Sequence, residues 1–240
     1  MSLLFVYEDR EYLLAPGDTL ETDLGVLEVP EDVEPGDTIE THLGTAFTAR
    51  GLRGPDLFHH LERTGAPMMP RDVGLVVGYT GICEGDRVLD AGTGTGVLAT
   101  ALGRIGATVI TYERDAAFAE TARENVRLAG VADAVDVRTG DLTGHLDELS
   151  GFDVLTLDTE DAPEVVALAP DLLVPGGFVA AYSPFVEHTR EVVERGREAG
   201  LENVRTIETI QREMEFDDRG SRPSTAGVGH TGYLTVGRLR

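Results

Sequence analysis

The sequence predicts an α/β fold: a doubly wound, mostly parallel sheet with helices on both faces, ending in an antiparallel edge pair and preceded by a small N-terminal β domain. Three observations predict it. From about residue 64 onward, short apolar segments alternate with helical stretches. Before that point, extended runs are interrupted every few residues by turn chemistry. At the end, two extended segments follow one another with no helix between them. The chain has 240 residues, 41% of them hydrophobic, enough for a large domain with a small companion.

The β domain is assigned to residues 1–62. Pro16-Gly17-Asp18, Asp23-Leu24-Gly25 and Pro35-Gly36-Asp37 are its turns. The ten residues Pro16–Gly25 match Pro35–Gly44 at eight positions, which predicts two equivalent turn–strand–turn units of structural meaning only.

Residues 63–240 form the main domain. Arg87–Ala91, Thr108–Glu113, Val135–Arg138, Asp153–Asp158 and Gly177–Tyr182 read as strands. Helices are expected over Val97–Arg104, Ala116–Ala129, about Pro163–Leu173, and Val186–Ala199. Val204–Phe216 and Val228–Leu239 are the terminal extended pair.

The charge is lopsided: 43 acidic residues stand against 20 basic ones, for a net charge of −23. Every basic residue is arginine; the chain has no lysine. Such a chain repels itself in dilute buffer, whereas molar salt shrinks the screening length to about 3 Å. The composition resembles that of halophilic archaeal proteins, the alternative being an ordinary acidic enzyme. No apolar run is long enough to span a bilayer, and the first residues lack the basic start and apolar centre of a signal peptide. Cys83 is the only cysteine, so no internal disulfide can form; a cytoplasmic setting and no metal centre are expected.

The strongest local signal is Asp90-Ala91-Gly92-Thr93-Gly94-Thr95-Gly96, set between a strand and a helix. Glycine permits a sharp turn and a close approach of backbone to ligand. Glu113 ends the next strand, where a carboxylate can accept from both hydroxyls of a ribose. Val97 stands where a dinucleotide fingerprint has its third glycine, which counts against a nicotinamide-dependent dehydrogenase. Other readings stay open for these positions. The glycines could serve the turn alone, Glu113 or Asp141 could be a solvated or capping carboxylate, and Asp90 could orient the loop.

Glycines at 92, 94 and 96 after Asp90 resemble the motif of class I S-adenosylmethionine methyltransferases, whose fold is Rossmann-like with seven strands. Gly140-Asp141-Leu142 and Leu172–Phe178 are similar to further pieces of that pattern. The resemblance implies S-adenosyl-L-methionine as cofactor, held by Asp90, Gly92, Gly94, Gly96, Glu113, Asp141, Leu142 and Asp158.

Four more stretches sharpen the resemblance: Pro70-Arg71-Asp72 with Tyr79–Ile82, Tyr182-Ser183-Pro184, Arg212–Glu215, and Arg222–Leu234 with its ending Gly229-His230-Thr231-Gly232-Tyr233-Leu234. Together they resemble the tRNA (adenine-N1)-methyltransferase family, archaeal and bacterial branch, over nearly the whole chain. The resemblance implies methylation of N1 of T-loop adenines in tRNA by a homotetramer. It places the catalytic aspartate at Asp158, with Tyr182, His230 and Arg222 as substrate contacts. The sequence departs from the family at Met69, where a tyrosine is usual, and at Ala162, where a proline is usual. The nearest rival is a protein-L-isoaspartate or small-molecule methyltransferase; a non-catalytic RNA-binding module is another. RNA binding by so acidic a chain would rely on local arginines, among them Arg50, Arg53, Arg71, Arg212, Arg219 and Arg222, and on shape and stacking.

Overall fold

The computed structural model describes residues 2–63, 66–225, 227 and 229–240. Met1, Thr64, Gly65, Ala226 and Val228 lie outside the described residues; they include the expected start of the last extended segment and two positions of the Arg222–Leu234 motif.

The N-terminal part contains β1 (Leu3–Tyr7), β2 (Arg10–Leu14), β3 (Thr19–Thr22), β4 (Gly25–Glu28), β5 (Thr38–Glu40) and β6 (Ala46–Gly51). Strands β2-β1-β6-β5 form an antiparallel sheet, and β3 pairs with β4 as a separate ribbon. The sequence repeat is a repeat of hydrogen bonds. Gly17 N–H donates to the Val29 carbonyl (3.0 Å) and Val29 N–H to that of Asp18 (2.9 Å). In the second copy Gly36 N–H donates to Ala49 and Ala49 N–H to Asp37, both at 2.8 Å. The two aspartates tie their own turns alike, Asp18 accepting from Ala15 N–H (2.7 Å) and Asp37 from Glu34 N–H (2.8 Å).

Strand β1 is buried on both faces. Its alternate residues split: Leu3 and Phe5 join Leu27, Val29 and Phe47 in a small cluster. Leu4 and Val6 instead join the main core, together with Leu57 of α1 (Gly54–His60) and Val76 of α2 (Pro70–Thr80). The sequence reading did not anticipate these two helices. Each has proline in its first turn, and α2 ends at Gly81 in the left-handed region (φ 75°), but Gly74 and Gly78 dilute the helical pattern of α2.

The main sheet is built from β7 (Arg87–Ala91), β8 (Thr108–Glu113), β9 (Val135–Thr139), β10 (Phe152–Leu157), β11 (Leu173–Ser183), β12 (Glu202–Glu208) and β15 (Tyr233–Arg238), in the order β12-β15-β11-β10-β7-β8-β9. Only β15 runs against the rest, pairing antiparallel with both β11 and β12. Each central strand divides its side chains between two cores. Val88, Val109, Val154 and Ala180 face α3 (Val97–Ile105), α4 (Ala116–Leu128) and α2. Leu89, Leu155, Val179 and Ala181 face α5 (Ala162–Ala167), α6 (Ala169–Leu172) and α7 (Val186–Glu198).

Two expectations are corrected. The single helix expected over about Pro163–Leu173 is two short ones, because Pro170 brings no N–H to continue the ladder. The extended segment expected over Val204–Phe216 ends with β12 at Glu208; β13 (Met214–Asp217) turns back on β14 (Gly220–Pro223) as an exposed two-stranded ribbon. Among the described residues, no helix is long and apolar enough to cross a membrane.

Asn125 of α4 knits three segments. Its side-chain amide donates to the carbonyls of Glu62 and Thr95, both at 2.8 Å, and its oxygen accepts from Glu62 N–H (3.1 Å). It is 1% exposed, so Asn125→Ala orphans polar groups in the core. The expected loss is about 2–4 kcal/mol of stability, read as a lower urea midpoint.

Candidate active site

A cavity of about 580 Å³ opens at the carboxyl ends of β7, β8, β9 and β10. This is where open α/β sheets place their ligands. Its floor is the turn after β7, its sides are Glu113, Asp141 and Asp158, and one wall is the segment Ala66–Met68 leading into α2.

The three glycines of the turn do three different things. All have positive φ: 86° at Gly92, 55° at Gly94 and 81° at Gly96. A Cβ on Gly92 would lie 2.0 Å from the Asp158 carbonyl oxygen, so the turn lies directly against the end of β10. A Cβ on Gly96 would meet Ala122 of α4 at 3.2 Å; this glycine serves helix packing and does not line the cavity. Gly94 has nothing within 4 Å of its missing side chain and faces open cavity. Only Gly94 therefore combines backbone exposure to a ligand with freedom from internal packing.

Four carboxylates at this edge occupy different environments. Glu113, 8% exposed, accepts from Gly94 N–H (2.8 Å) through one oxygen and from Asp115 N–H (3.0 Å) through the other. Each oxygen keeps a second lone pair for a hydroxyl in the cavity. Asp141 caps the short turn Leu142–Gly144. The Thr143 hydroxyl (2.7 Å) and backbone N–H (2.9 Å) hold its carboxyl below the usual range. Leu142 is buried and lines the cavity beside it.

Asp90 lies beneath the cavity, not in its wall. Its carboxylate is 2% exposed and accepts from the hydroxyls of Thr111 and Thr156, both at 2.5 Å. Burial pushes its proton affinity up against those two bonds.

Asp158 stands one residue beyond β10 and is partly exposed, lining the cavity. Among the described residues no donor meets its carboxylate. Desolvation, with the Asp90 charge adding to it, pushes its pKa up to about 7.

The sequence stretches at 70–72, 182 and 231–232 come together on the far side of Asp158. Thr231 donates to the Asp72 carboxylate (2.7 Å) and accepts from the Arg71 guanidinium (3.1 Å). The Tyr182 hydroxyl lies near Thr231 and within the field of Asp158. Burial pushes the Tyr182 phenol up. Gly232 allows this approach: a Cβ there would lie 2.6 Å from the Tyr182 ring. Met69 is half-buried at the start of α2.

His230 and Arg222 are not brought to the cavity. His230 is exposed, pairs with Glu208 (2.8 Å) and leans on the Tyr233 ring. Arg222 sits on the exposed ribbon, paired with Glu215 at 2.8 Å. The sequence reading missed Thr111, Thr156 and Asn125. The available signal was a polar residue at a position whose neighbours in the pattern are core.

A family model described as "tRNA methyltransferase complex GCD14 subunit" matches residues 59–219. The chain is also 32% identical, over 99% of its own length and 94% of the relative's, to the tRNA (adenine(57)-N(1)/adenine(58)-N(1))-methyltransferase TrmI of Methanocaldococcus jannaschii. The chain belongs to this tRNA methyltransferase family. Among solved structures, tRNA (m1A58) methyltransferase TrmI from Aquifex aeolicus superposes with a TM-score of 0.75 at 22% identity, covering 99% of this chain and 96% of that one. A SAM-dependent O-methyltransferase from Thermotoga maritima gives 0.80 at 24%, covering 99% and 92%. At these identities the two structures bear on the fold alone, which is that of class I methyltransferases and includes the N-terminal β part.

The Asp158 environment makes stability depend on pH. In the unfolded family member this carboxyl ionises at about 4; folded, it holds its proton up to about 7. The folded state binds more protons in that window, so its stability is full below it and declines as pH rises through it. Asp158→Asn removes the decline. Relative to wild type, its melting temperature is expected to rise more at pH 8 than at pH 4; an equal change at both pH values contradicts the assignment.

Proposed function

We propose that this chain transfers a methyl group from S-adenosyl-L-methionine to N1 of an adenine in the T loop of tRNA. The observation that carries the reading is the Asp158 carboxylate: it lines the cavity, meets no donor among the described residues, and stands two strands away from Glu113.

The residues present fit the cofactor. Gly94 leaves its backbone open to the cavity, Glu113 retains lone pairs for two ribose hydroxyls, and Asp141 and Leu142 offer an acceptor and an apolar contact for a base. When bound, the cofactor supplies a methyl group already activated by a sulfonium. Asp90 and Gly96 support this site from beneath and behind.

Little remains for acid–base chemistry. N1 of neutral adenine has a free lone pair, so no proton must leave before attack. The chain's task is to hold the base in line, which is worth roughly 7–11 kcal/mol in favourable systems. Ionised Asp158 accepts from the exocyclic amino group and stabilises the positive charge that the base acquires on methylation. Tyr182, packed against Gly232, borders the base, while His230 and Arg222 lie farther out as contacts for the RNA. A base inside a folded loop must be extruded to reach this depth. We place the enzyme in the cytoplasm as a homotetramer working in high salt; the lysine-free composition with net charge −23 supports the last point.

Incubation with labelled S-adenosyl-L-methionine and unmodified tRNA, followed by nucleoside analysis, is expected to give 1-methyladenosine. Label in protein alone refutes the reading. Asp158→Ala should cut turnover about a hundredfold or more while leaving cofactor affinity near wild type. Glu113→Ala should weaken cofactor binding roughly thirtyfold or more, two charge-assisted hydrogen bonds being lost. The wild-type rate should rise with pH and level off above about 7, as Asp158 ionises.

A further inference from the structure

Thr111, Asp90 and Thr156 lie abreast on β8, β7 and β10, paired in register across the three strands. Asp90 Oδ2 accepts a hydrogen bond from the Thr111 hydroxyl and Oδ1 one from that of Thr156, both at 2.5 Å. Thr111 in turn is 2.5 Å from the Thr93 hydroxyl in the glycine turn. Among the described residues no cation pairs with Asp90. Glu113 is two residues beyond Thr111 on β8, and Asp158 two residues beyond Thr156 at the end of β10.

We propose that Asp90 is a positioning residue: its buried carboxylate holds the ends of β8 and β10 at matching height through the two threonines and sets the charge state of Asp158. The two acids are unequal for a geometric reason. Among the described residues Asp90 has two hydroxyl donors and Asp158 none, so Asp90 keeps the negative charge and Asp158 is left to take up the proton as the pH falls. The Asp158 carboxyl is pushed up by burial first and by the Asp90 charge second, so Asp90 adds to a shift that burial begins. The charged and titratable groups around the pair are Glu113 from β8, Tyr182 from β11, and Arg71 with Asp72 from α2. Of these, Glu113 acts on Asp90, and Arg71 and Asp72 act on Tyr182. The inference rests on the proposed function only for the use made of Asp158, not for its ionisation.

The test is a carbon-13 carboxyl titration of Asp158 in the full-length, cofactor-free protein, wild type against Asp90→Asn. The midpoint is expected to fall by about half a pH unit or more once the neighbouring charge is gone. An unchanged midpoint in a folded Asp90→Asn protein overturns the proposal. If that variant does not fold, Thr156→Val and Thr156→Ser replace it. Thr156→Val removes one donor from Asp90, moves the shared proton toward it and lowers the Asp158 midpoint; Thr156→Ser keeps the donor and the wild-type midpoint. A lower melting temperature in Thr156→Val with no movement of the midpoint shows a merely structural network and overturns the proposal as well. No substrate enters this measurement, so failure to methylate tRNA would refute the proposed function and leave the titration result standing.

Discussion

At the carboxyl edge of the sheet, the end of β10 passes so close to the β7 turn that residue 92 has no room for a side chain. Its Cβ would lie 2.0 Å from the Asp158 carbonyl oxygen. The same contact carries a hydrogen bond from Asp158 N–H to the Ala91 carbonyl (2.8 Å), and Gly92 N–H reaches the other way to Tyr112 (3.1 Å). These backbone bonds lock three strand ends at one level. The carboxylates of Glu113 and Asp158 then face one cavity from opposite sides of β7, and the cavity exists because the turn between them stays low. The left-handed backbone at Gly92 adds a second reason for glycine there.

The charge of this edge suits its chemistry. Glu113, Asp115, Asp141, Asp158, Glu160 and Asp161 all line the cavity. Such a lining favours a cationic donor and a base that becomes cationic, and it repels phosphate. An RNA substrate must therefore present an extruded, uncharged base to the cavity and keep its backbone outside. Arg219 and Arg222 of the β13–β14 ribbon are exposed and lie outside the cavity. Ion pairs such as Arg222–Glu215 are exposed and contribute little to stability, so their arginines are cheap to re-pair.

The substrate side is organised by a small polar cluster. Asp72 is 4% exposed, yet it is not orphaned, because Thr231 and Arg71 close around it. Through Thr231 the cluster reaches Tyr182, joining residues that are 160 positions apart in the chain. The β15 strand is what makes this possible. By inserting antiparallel between β11 and β12, it carries the segment before Tyr233 back to the end of β11.

The sequence by itself determined the alternation of strands and helices, the glycine turn after β7 and the acids at the ends of β8 and β10, because each is written in local periodicity and turn chemistry. Family membership was legible in the same way, from short motifs read in order. Tertiary structure alone decided what each motif residue does. Three glycines of one motif split into a close contact, an open cradle and a helix packing point, and Asp90 turned inward while Asp158 faced the cavity. The short helices α1 and α2 and the β13–β14 ribbon also escaped local reading, since few residues of any one period define them. The physical reason is that burial, donor supply and close approach depend on neighbours from distant segments. Thr111 and Thr156 hold the Asp90 carboxylate, and no local pattern around Asp90 contains them.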